Sequence, residues 1–356
     1  MHSIKKIILN SIRLSASLQQ KDGSFPGGHN GPHNDQETPV RNTSHWIIAN
    51  LYAWKYTGER SFRDVAEAGI DYLIKTVTHS GNYSVVSRTR KGKDRSNGLI
   101  GQAWIIEALG EAGWVLNRED ALLVGESLFR RHRFDDSVCA WLTAPTNVHE
   151  VAKFDRTFNH QLWFAATGAI LVRCGIGVHG PIRNFIDNKV ANMKQYPNGL
   201  IHHSNPYFIA NNAKQKLLSF ARHARVLMNG EKVYTMSVGY HTFNTYALAL
   251  IEKCMPDLEI ASMGSVRRAL GFLGSEEFQS NVGRSPYSFA YNPPGFEAAF
   301  SLSVLDGVVE PLEIPLMRAQ VELNYDETAG HFTKNVADVY TSAARVYEAA
   351  RLLEDD

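Results

Sequence analysis

Apolar residues recur at helical spacing along most of the chain. Ile4, Ile7, Ile8 and Ile12, for example, fall on one face of a helix whose other faces are polar. The same periodicity predicts twelve helices, over residues 4–19, 43–57, 61–77, 98–112, 118–132, 157–174, 181–195, 241–254, 262–274, 295–305, 312–323 and 335–353. The chain is therefore predicted to be all-α.

The connections between these helices alternate in length. Short connections, each marked by Gly or Pro, follow the even-numbered helices, and long connections follow the odd-numbered ones. The long connections are residues 20–42, 78–97, 133–156, 196–240 and 275–294. This alternation groups the helices into six hairpins with the long connections on one face. We therefore predict an (α/α)6 barrel, a single toroid domain of residues 1–356, with an open helical solenoid as the alternative.

The even-numbered helices are richer in small and apolar residues than the odd-numbered ones, as residues 165–170 illustrate. This composition is typical of helices that are covered on most sides, so they are expected to form the inner ring. Two stretches of the long connections, Tyr83–Arg88 and Val233–Val238, alternate in the way of short strands and are predicted to decorate the rim.

The amino-acid composition of the chain limits the kinds of partner that it is expected to bind. The 356 residues are 44% hydrophobic and 21% charged, and 37 basic residues nearly balance 36 acidic ones. A chain without a net field is not expected to bind nucleic acid or a membrane surface, and no apolar run is long enough to cross a bilayer. Three widely spaced cysteines and the lack of an export signal favour the cytoplasm. No metal or other cofactor is predicted.

Polar residues cluster where the inner helices are expected to begin. Unpaired N–H groups at helix N-termini favour an anionic ligand, and the arginines of this set offer forked donors that match carboxylates. We therefore predict a substrate-binding set of Arg41, Asn42, His45, Arg95, Asn97, Gln102, Trp104, Arg156, Asn159, His241 and Asn244. The alternative is that individual members, such as Asn42 and Asn97, only cap their helices.

Five residues are candidates for catalysis. His160 and Tyr240 begin two different inner helices and could transfer protons, whereas Asp94, Asp155 and Glu297 could act as general acids. These groups can serve one reaction only if the barrel closes and brings them to one substrate. A structural, hydrogen-bonded role is the alternative for His160.

Three short segments resemble the six-hairpin glycosidase superfamily, whose members include unsaturated glucuronyl hydrolases. They are Gln20–Phe25, Ala53–Gly58 and Asn97–Trp104. Within the last, Gly101–Trp104 is similar to a Gly-Gln-Ala-Trp segment of the uronyl hydrolases. The resemblance implies an (α/α) barrel and an aspartate as general acid, for which Asp94, Asp136 and Asp155 are candidates by loop position. The toroid also resembles polysaccharide lyases and uronyl epimerases, which surround a uronate with Asn, His, Tyr and Arg.

These observations lead to three functional hypotheses. The first is a glycoside hydrolase of the unsaturated-uronyl type, acting on an acidic, uronate-containing oligosaccharide or polysaccharide. The second is a polysaccharide lyase or uronyl C5-epimerase, in which Tyr240 or His160 removes the C5 proton while Asn159 and Arg156 stabilise the resulting charge. The third is a toroid that binds glycans without catalysis.

Overall fold

The structure is a computed structural model that describes residues 3–203, 208–209 and 229–354. Fifteen α-helices lie within these ranges. They are α1 (Ile4–Leu14), α2 (Val40–Thr57), α3 (Arg60–His79), α4 (Gly98–Leu116), α5 (Glu119–Arg130), α6 (Phe158–Arg173), α7 (His179–Phe185), α8 (Gly230–Gly239), α9 (His241–Cys254), α10 (Gly264–Leu273), α11 (Glu276–Val282), α12 (Pro294–Asp306), α13 (Pro315–Asn324), α14 (Val339–Ala344) and α15 (Tyr347–Ala350). A π-helical turn, Ile186–Val190, extends α7, and a 3-10 turn, Arg351–Glu354, extends α15.

Six helices form a closed inner ring. In order around the ring, α2, α4, α6, α9, α12 and α15 each pack against the next, and α15 packs back against α2. An outer helix covers each of the first five, because α3, α5, α7, α10 and α13 pack against α2, α4, α6, α9 and α12, and α1 also lies on α2. The predicted (α/α)6 barrel is confirmed, and ring closure excludes the open solenoid.

Burial distinguishes the two rings as the composition predicts. Every residue from Gly98 to Ala112 of inner helix α4 is buried. In contrast, outer helix α3 buries one stripe of residues spaced three or four apart, including Phe62, Ala66, Ile70 and Leu73. An inner helix touches neighbours on both sides and an outer helix behind it, so it has no face left for polar residues that lack a partner.

The interior of the ring contains ion pairs as well as apolar side chains. Arg351, which is fully buried, donates to Glu107 at 2.9 Å, to Glu111 at 3.0 Å and to the hydroxyl of Tyr246 at 2.9 Å. Buried charges are tolerated where opposite charges and hydrogen bonds compensate for lost hydration. The last helical segment of the chain therefore closes the ring partly through charge.

The predicted rim strands are wrong. Val233–Val238 lies in helix α8, where Thr235 and Ser237 donate to carbonyls four residues earlier. In Tyr83–Arg88, pairing is limited to one isolated bridge between Arg88 and Glu37. Six residues are too few to separate a period of two from one of 3.6 when the helix can satisfy the polar side chains.

The strands that the structure describes lie elsewhere on the rim. A small antiparallel sheet in the order β1-β2-β3 is built from β1 (Phe134–Asp135), β2 (Ala140–Thr143) and β3 (Lys153–Phe154). All three belong to the long connection between α5 and α6. Among the described helices, none is both long enough and apolar enough to span a bilayer.

Candidate active site

A cavity of about 170 Å³ opens at the face where the inner helices begin. Each of the five long connections, or the residues directly after it, contributes to its wall. The lining residues are Asn30, His33, Asp35, Arg41, Arg88, Lys93, Asn97, Ile100, Trp104, Thr157, Asn159, His160, His203, Tyr240, Phe243, Tyr291, Asn292 and Arg345. The prediction that the long connections share one face is thus confirmed.

His160 enters the cavity from the first turn of α6 and is held by a carboxylate. Its Nδ1 atom lies 2.8 Å from Oδ2 of Asp155, which also accepts the backbone N–H of Leu99 at 2.9 Å. Burial by itself raises the pKa of Asp155, but the His160 ring and these hydrogen bonds outweigh it and lower the pKa. Because the ionised Asp155 accepts the Nδ1 proton, the Nε2 lone pair of a neutral His160 is free to accept a proton.

Gly98 makes room for this pair at the start of α4. Its φ is +63°, and a Cβ at this position would lie 2.0 Å from Oδ2 of Asp155 and 3.0 Å from Nδ1 of His160. A side chain would therefore collide with both partners and strain the backbone as well. Glycine at this position is a condition for the Asp155–His160 pair.

Tyr240 and His33 form a second hydrogen-bonded pair in the same cavity, with 2.8 Å between the Tyr240 hydroxyl and Nε2 of His33. Burial, reinforced by the neighbouring Tyr291, raises the pKa of Tyr240 well above its ordinary value. Burial also lowers the pKa of His33. Tyr240 consequently remains a phenol and His33 a neutral imidazole near neutral pH, so the pair can hold a proton without carrying a charge.

A tight turn of the first long connection presents His33. Residues Gly31–His33 form a 3-10 turn flanked by Asn30 and Asn34, both in the left-handed conformation. A Cβ on Gly31 would lie 2.3 Å from the ring of Tyr291, whose hydroxyl donates to Oδ1 of Asn30 at 2.6 Å. Tyr291 thus holds the turn in two ways, because its ring packs on Gly31 and its hydroxyl bonds Asn30.

Two buried arginines in the wall are already paired with carboxylates. Arg41 lies 3.2 Å from Glu37 and 4.3 Å from the centre of the Trp104 ring. Arg345 pairs with Glu297 and Glu348. Burial raises the pKa of Glu37 to about 7 and also raises that of Glu348, against the opposing effect of each arginine. These carboxylates lie behind the guanidinium groups and do not line the cavity.

Of the predicted site residues, six line the cavity: Arg41, Asn97, Trp104, Asn159, His160 and Tyr240. The buried Oδ1 of Asn159 has no hydrogen-bond partner among the described residues. A buried acceptor without a partner is costly, so this atom is suited to a ligand donor.

Four other predicted residues support the backbone around the cavity. Asn42 donates to the carbonyl of Pro26, and Gln102 exchanges two hydrogen bonds with Val85. His241 accepts the N–H of Ile201 and bonds the carbonyl of Ala269, and Asp155 orients His160 as described above.

The remaining predicted residues do not line the cavity. Asp94 accepts two hydrogen bonds from Ser96, while Glu297 is buried against Thr242 and Arg345. His45 is buried and stacks on Tyr347 at 4.3 Å. The others are the exposed Arg95 and Arg156 and the buried Asn244. Helix position alone did not reveal that these side chains turn away from the cavity.

Several lining residues were not predicted, among them His33, Asp35, Arg88, Lys93 and Arg345. Most lie within the long connections, and the prediction concentrated on the helix starts. A usable signal was present in residues 28–36, where Gly, Asn, His and Pro are dense enough to indicate a structured turn. The sequence also places Tyr207 and Tyr291 among the aromatic residues that flank the rim, where a sugar ring could stack. Tyr291 lines the cavity, and Tyr207 lies outside the residues that the structure describes. Within the described ranges, no group of three or more His, Cys, Asp or Glu side chains could hold a metal ion.

Solved structures of similar architecture include three sugar-related enzymes. A cellobiose 2-epimerase from Bacillus thermoamylovorans has a TM-score of 0.62 at 12% identity, covering 99% of this chain and 100% of that one. A D-mannose isomerase has a TM-score of 0.62 at 13% identity, covering 98% and 97%. A heparin-specific unsaturated glucuronyl hydrolase has a TM-score of 0.58 at 10% identity, covering 98% and 96%. These similarities confirm the six-hairpin fold.

The sequence gives a more specific assignment. No model of a known protein family matches the chain. Archaeal glycosylation protein Q of Haloferax volcanii, however, is 35% identical over 368 residues, covering 99% of this chain and 98% of the relative. The chain belongs to the family of archaeal glycosylation protein Q.

Proposed function

We propose that this protein is a carbohydrate-active enzyme that moves a proton at a carbon atom of an acidic, uronate-containing glycan, as a C5-epimerase or lyase does. The observation that carries the proposal is that His160, which Asp155 orients, lines the same cavity as the hydrogen-bonded pair of Tyr240 and His33. General acid–base chemistry needs such groups within reach of one substrate. A sugar substrate is supported by the relative, which is a glycosylation protein, and by the structural neighbours, which are a cellobiose epimerase, a mannose isomerase and a glucuronyl hydrolase.

In this reaction His160 is the base. Its Nε2 atom takes the C5 proton, and the electron pair of the broken C–H bond moves into the adjacent carboxylate to give an enolate. Asp155 stabilises the imidazolium that forms, because it is ionised and hydrogen-bonded to Nδ1. The charge that develops on the sugar is stabilised by cationic groups of the wall.

Tyr240 supplies the second proton transfer. Its raised pKa keeps it protonated, so it can donate to a carbanion from the face opposite His160, or to the departing oxygen in a lyase reaction. Neutral His33 can donate an Nε2–H hydrogen bond to the phenolate oxygen that forms, and solvent then returns the proton to Tyr240. Return of the proton to C5 gives epimerisation, whereas loss of the C4 oxygen gives an unsaturated uronate.

Hydrolysis is the second candidate. The expected acids Asp94 and Glu297 do not line the cavity, and the lowered pKa of Asp155 makes it a poor proton donor. Asp35 is a carboxylate that does line the cavity, and this observation supports a hydrolase. Its two oxygens are, however, engaged by Arg88, Arg90 and Lys93, which favours proton transfer by His160 over donation by Asp35.

The test is to incubate the protein with glucuronate-containing oligosaccharides in deuterated water and follow three signals at once. Deuterium at C5 without cleavage means epimerase, absorbance of a 4,5-unsaturated uronate means lyase, and new reducing ends without that absorbance mean hydrolase. The proposal expects one of the first two signals from the wild type and its loss in His160→Gln. Binding of the glycans with none of the three signals contradicts the proposal and supports a non-catalytic toroid.

A further inference from the structure

Three cations surround the buried carboxylate of Asp35, which lines the cavity. Arg88 lies 3.1 Å from Oδ2 of Asp35, Arg90 lies 3.1 Å from Oδ1, and Lys93 lies 3.7 Å from Oδ2. The side chain of Asp35 is 2% exposed, whereas those of Arg90 and Lys93 are 46% exposed. The cluster thus carries two positive charges in excess, although the whole chain has a formal net charge of only +1.

The three cations differ in how far their donors are already used. Arg90 donates to the carbonyls of His33 and Asn34 as well as to Asp35, so it serves to hold the His33 turn. Arg88 donates through Nε to the carbonyl of Asp94 and through Nη1 to Asp35. Lys93 approaches Asp35 beyond ordinary hydrogen-bonding distance, which leaves ammonium donors for a ligand.

Arg88 and Lys93, unlike Arg90, line the same cavity as His160 and Tyr240. Arg41 and Arg345 also line it, but they are buried against Glu37, Glu297 and Glu348. A ligand carboxylate at those arginines would have to compete with carboxylates that are already in place. At Arg88 and Lys93 it would instead meet excess positive charge, part of it exposed to solvent.

We infer that Arg88 and Lys93, positioned by Asp35, form the subsite that binds the carboxylate of the acidic sugar and so determine the preference for uronates. This inference rests on the proposed function, because it supplies the recognition of the substrate on which His160 and Tyr240 act. It replaces Arg95 and Arg156, whose exposed side chains do not line the cavity, as the residues that select for charge.

The experiment uses two disaccharides that differ at one group, glucuronosyl-glucose and cellobiose, with a 6-sulfated cellobiose as a third probe. Binding to the full chain is measured by calorimetry for the wild type, Lys93→Gln, Arg88→Gln and Lys91→Gln. Lys91 is the matched control, because it is an exposed lysine of the same loop that does not line the cavity. Thermal unfolding of each variant verifies that the loop change leaves the fold intact.

We expect the wild type to bind the uronate at least about tenfold more tightly than cellobiose, and Lys93→Gln to reduce that preference by about three- to tenfold without changing cellobiose binding. Arg88→Gln should act in the same direction, and Lys91→Gln should have no effect. Tighter binding of the sulfated probe than of the uronate would overturn the assignment to a carboxylate. An equal loss of the uronate preference in Lys93→Gln and Lys91→Gln would overturn the subsite, since it would indicate only a general electrostatic attraction to this positively charged loop.

Binding and turnover keep this inference separate from the proposed function. If the uronate binds preferentially through Lys93 but none of the three reaction signals appears, the subsite stands and the proposed chemistry fails. If the uronate is turned over but Lys93→Gln and Arg88→Gln change neither its binding nor its turnover, the chemistry stands and the subsite fails.

Discussion

Oδ2 of Asp155 lies 2.8 Å from Nδ1 of His160 and 2.9 Å from the backbone N of Leu99, so one carboxylate oxygen joins the starts of inner helices α4 and α6. Asp155 and His160 are five positions apart along the chain, whereas Asp155 and Leu99 are 56 positions apart. The orientation of the histidine is therefore set by packing between two hairpins. This link makes the site sensitive to changes on either helix.

His160→Gln should lower turnover by at least about tenfold, on the order of 1.4 kcal/mol in the barrier, with little change in thermal stability. Turnover should fall because glutamine cannot accept a proton. Stability should change little because the side chain of His160 is 23% exposed, so its replacement leaves little buried surface unfilled. Turnover and unfolding should be measured on the same samples, with the exposed His149→Gln as control. An early-melting variant with full turnover per folded molecule would assign His160 a structural role.

Tyr240→Phe should also lower turnover by about tenfold or more, because it removes a hydroxyl that donates protons while keeping the ring. The ring packs 4.6 Å from His203 and 5.8 Å from Tyr287, contacts that phenylalanine retains. Tyr340→Phe, at a half-exposed tyrosine, is the control. If Tyr240→Phe retains full kcat in steady-state kinetics, the second proton must come from another group.

Gly98→Ala should disrupt the Asp155–His160 pair. Relative to the same change at a matched glycine, it should reduce turnover more than it reduces stability. The control is Gly81→Ala, because Gly81 has a φ of +58°, close to the +63° of Gly98, but no atom within 4 Å of a built Cβ. Both variants carry the backbone cost of a positive φ, on the order of 1 kcal/mol. Equal turnover in the two variants would show that the collision with Asp155 is relieved without affecting His160.

His241→Gln should weaken the pH dependence of stability. Burial lowers the pKa of His241 from 6.5 to about 4 in the folded protein, so between these values the unfolded chain binds more protons. The contribution to stability is complete above pH 6.5 and is lost as the pH falls towards 4, up to on the order of 3 kcal/mol. The free energy of unfolding should be measured with urea at several pH values between 4 and 6.5. Its slope against pH should be smaller for the variant than for the wild type. The slope should not vanish, because burial also lowers the pKa of His132 and His203, each to about 3.

Arg351→Gln should destabilise the fold by about 3–5 kcal/mol, since it leaves Glu107 and Glu111 buried without their shared cation. Arg318→Gln removes an exposed pair with Glu313 and should cost less than about 1 kcal/mol. Denaturant unfolding measures both. Similar small effects in the two variants would mean that water compensates for the buried charges.

The sequence by itself determined the number of hairpins, the two rings and the face that carries the long connections. These follow from local properties, because apolar periodicity and the positions of Gly and Pro act through neighbouring residues. The sequence also predicts that His160, Tyr240, Asn97 and Asn159 lie near the cavity, because the inner helices begin at the face where it opens. The two short strands were wrong, since six alternating residues fit either period.

Tertiary structure alone decided which side chains enter the cavity and which turn away. His241 and His160 both lie at the starts of inner helices. Both ring nitrogens of His241 form hydrogen bonds with the backbone of Ile201 and Ala269, whereas His160 bonds Asp155 and lines the cavity. The His33–Tyr240 pair joins residues 207 positions apart. Such choices depend on hydrogen bonds between distant segments, and these exist only after the ring of helices has closed.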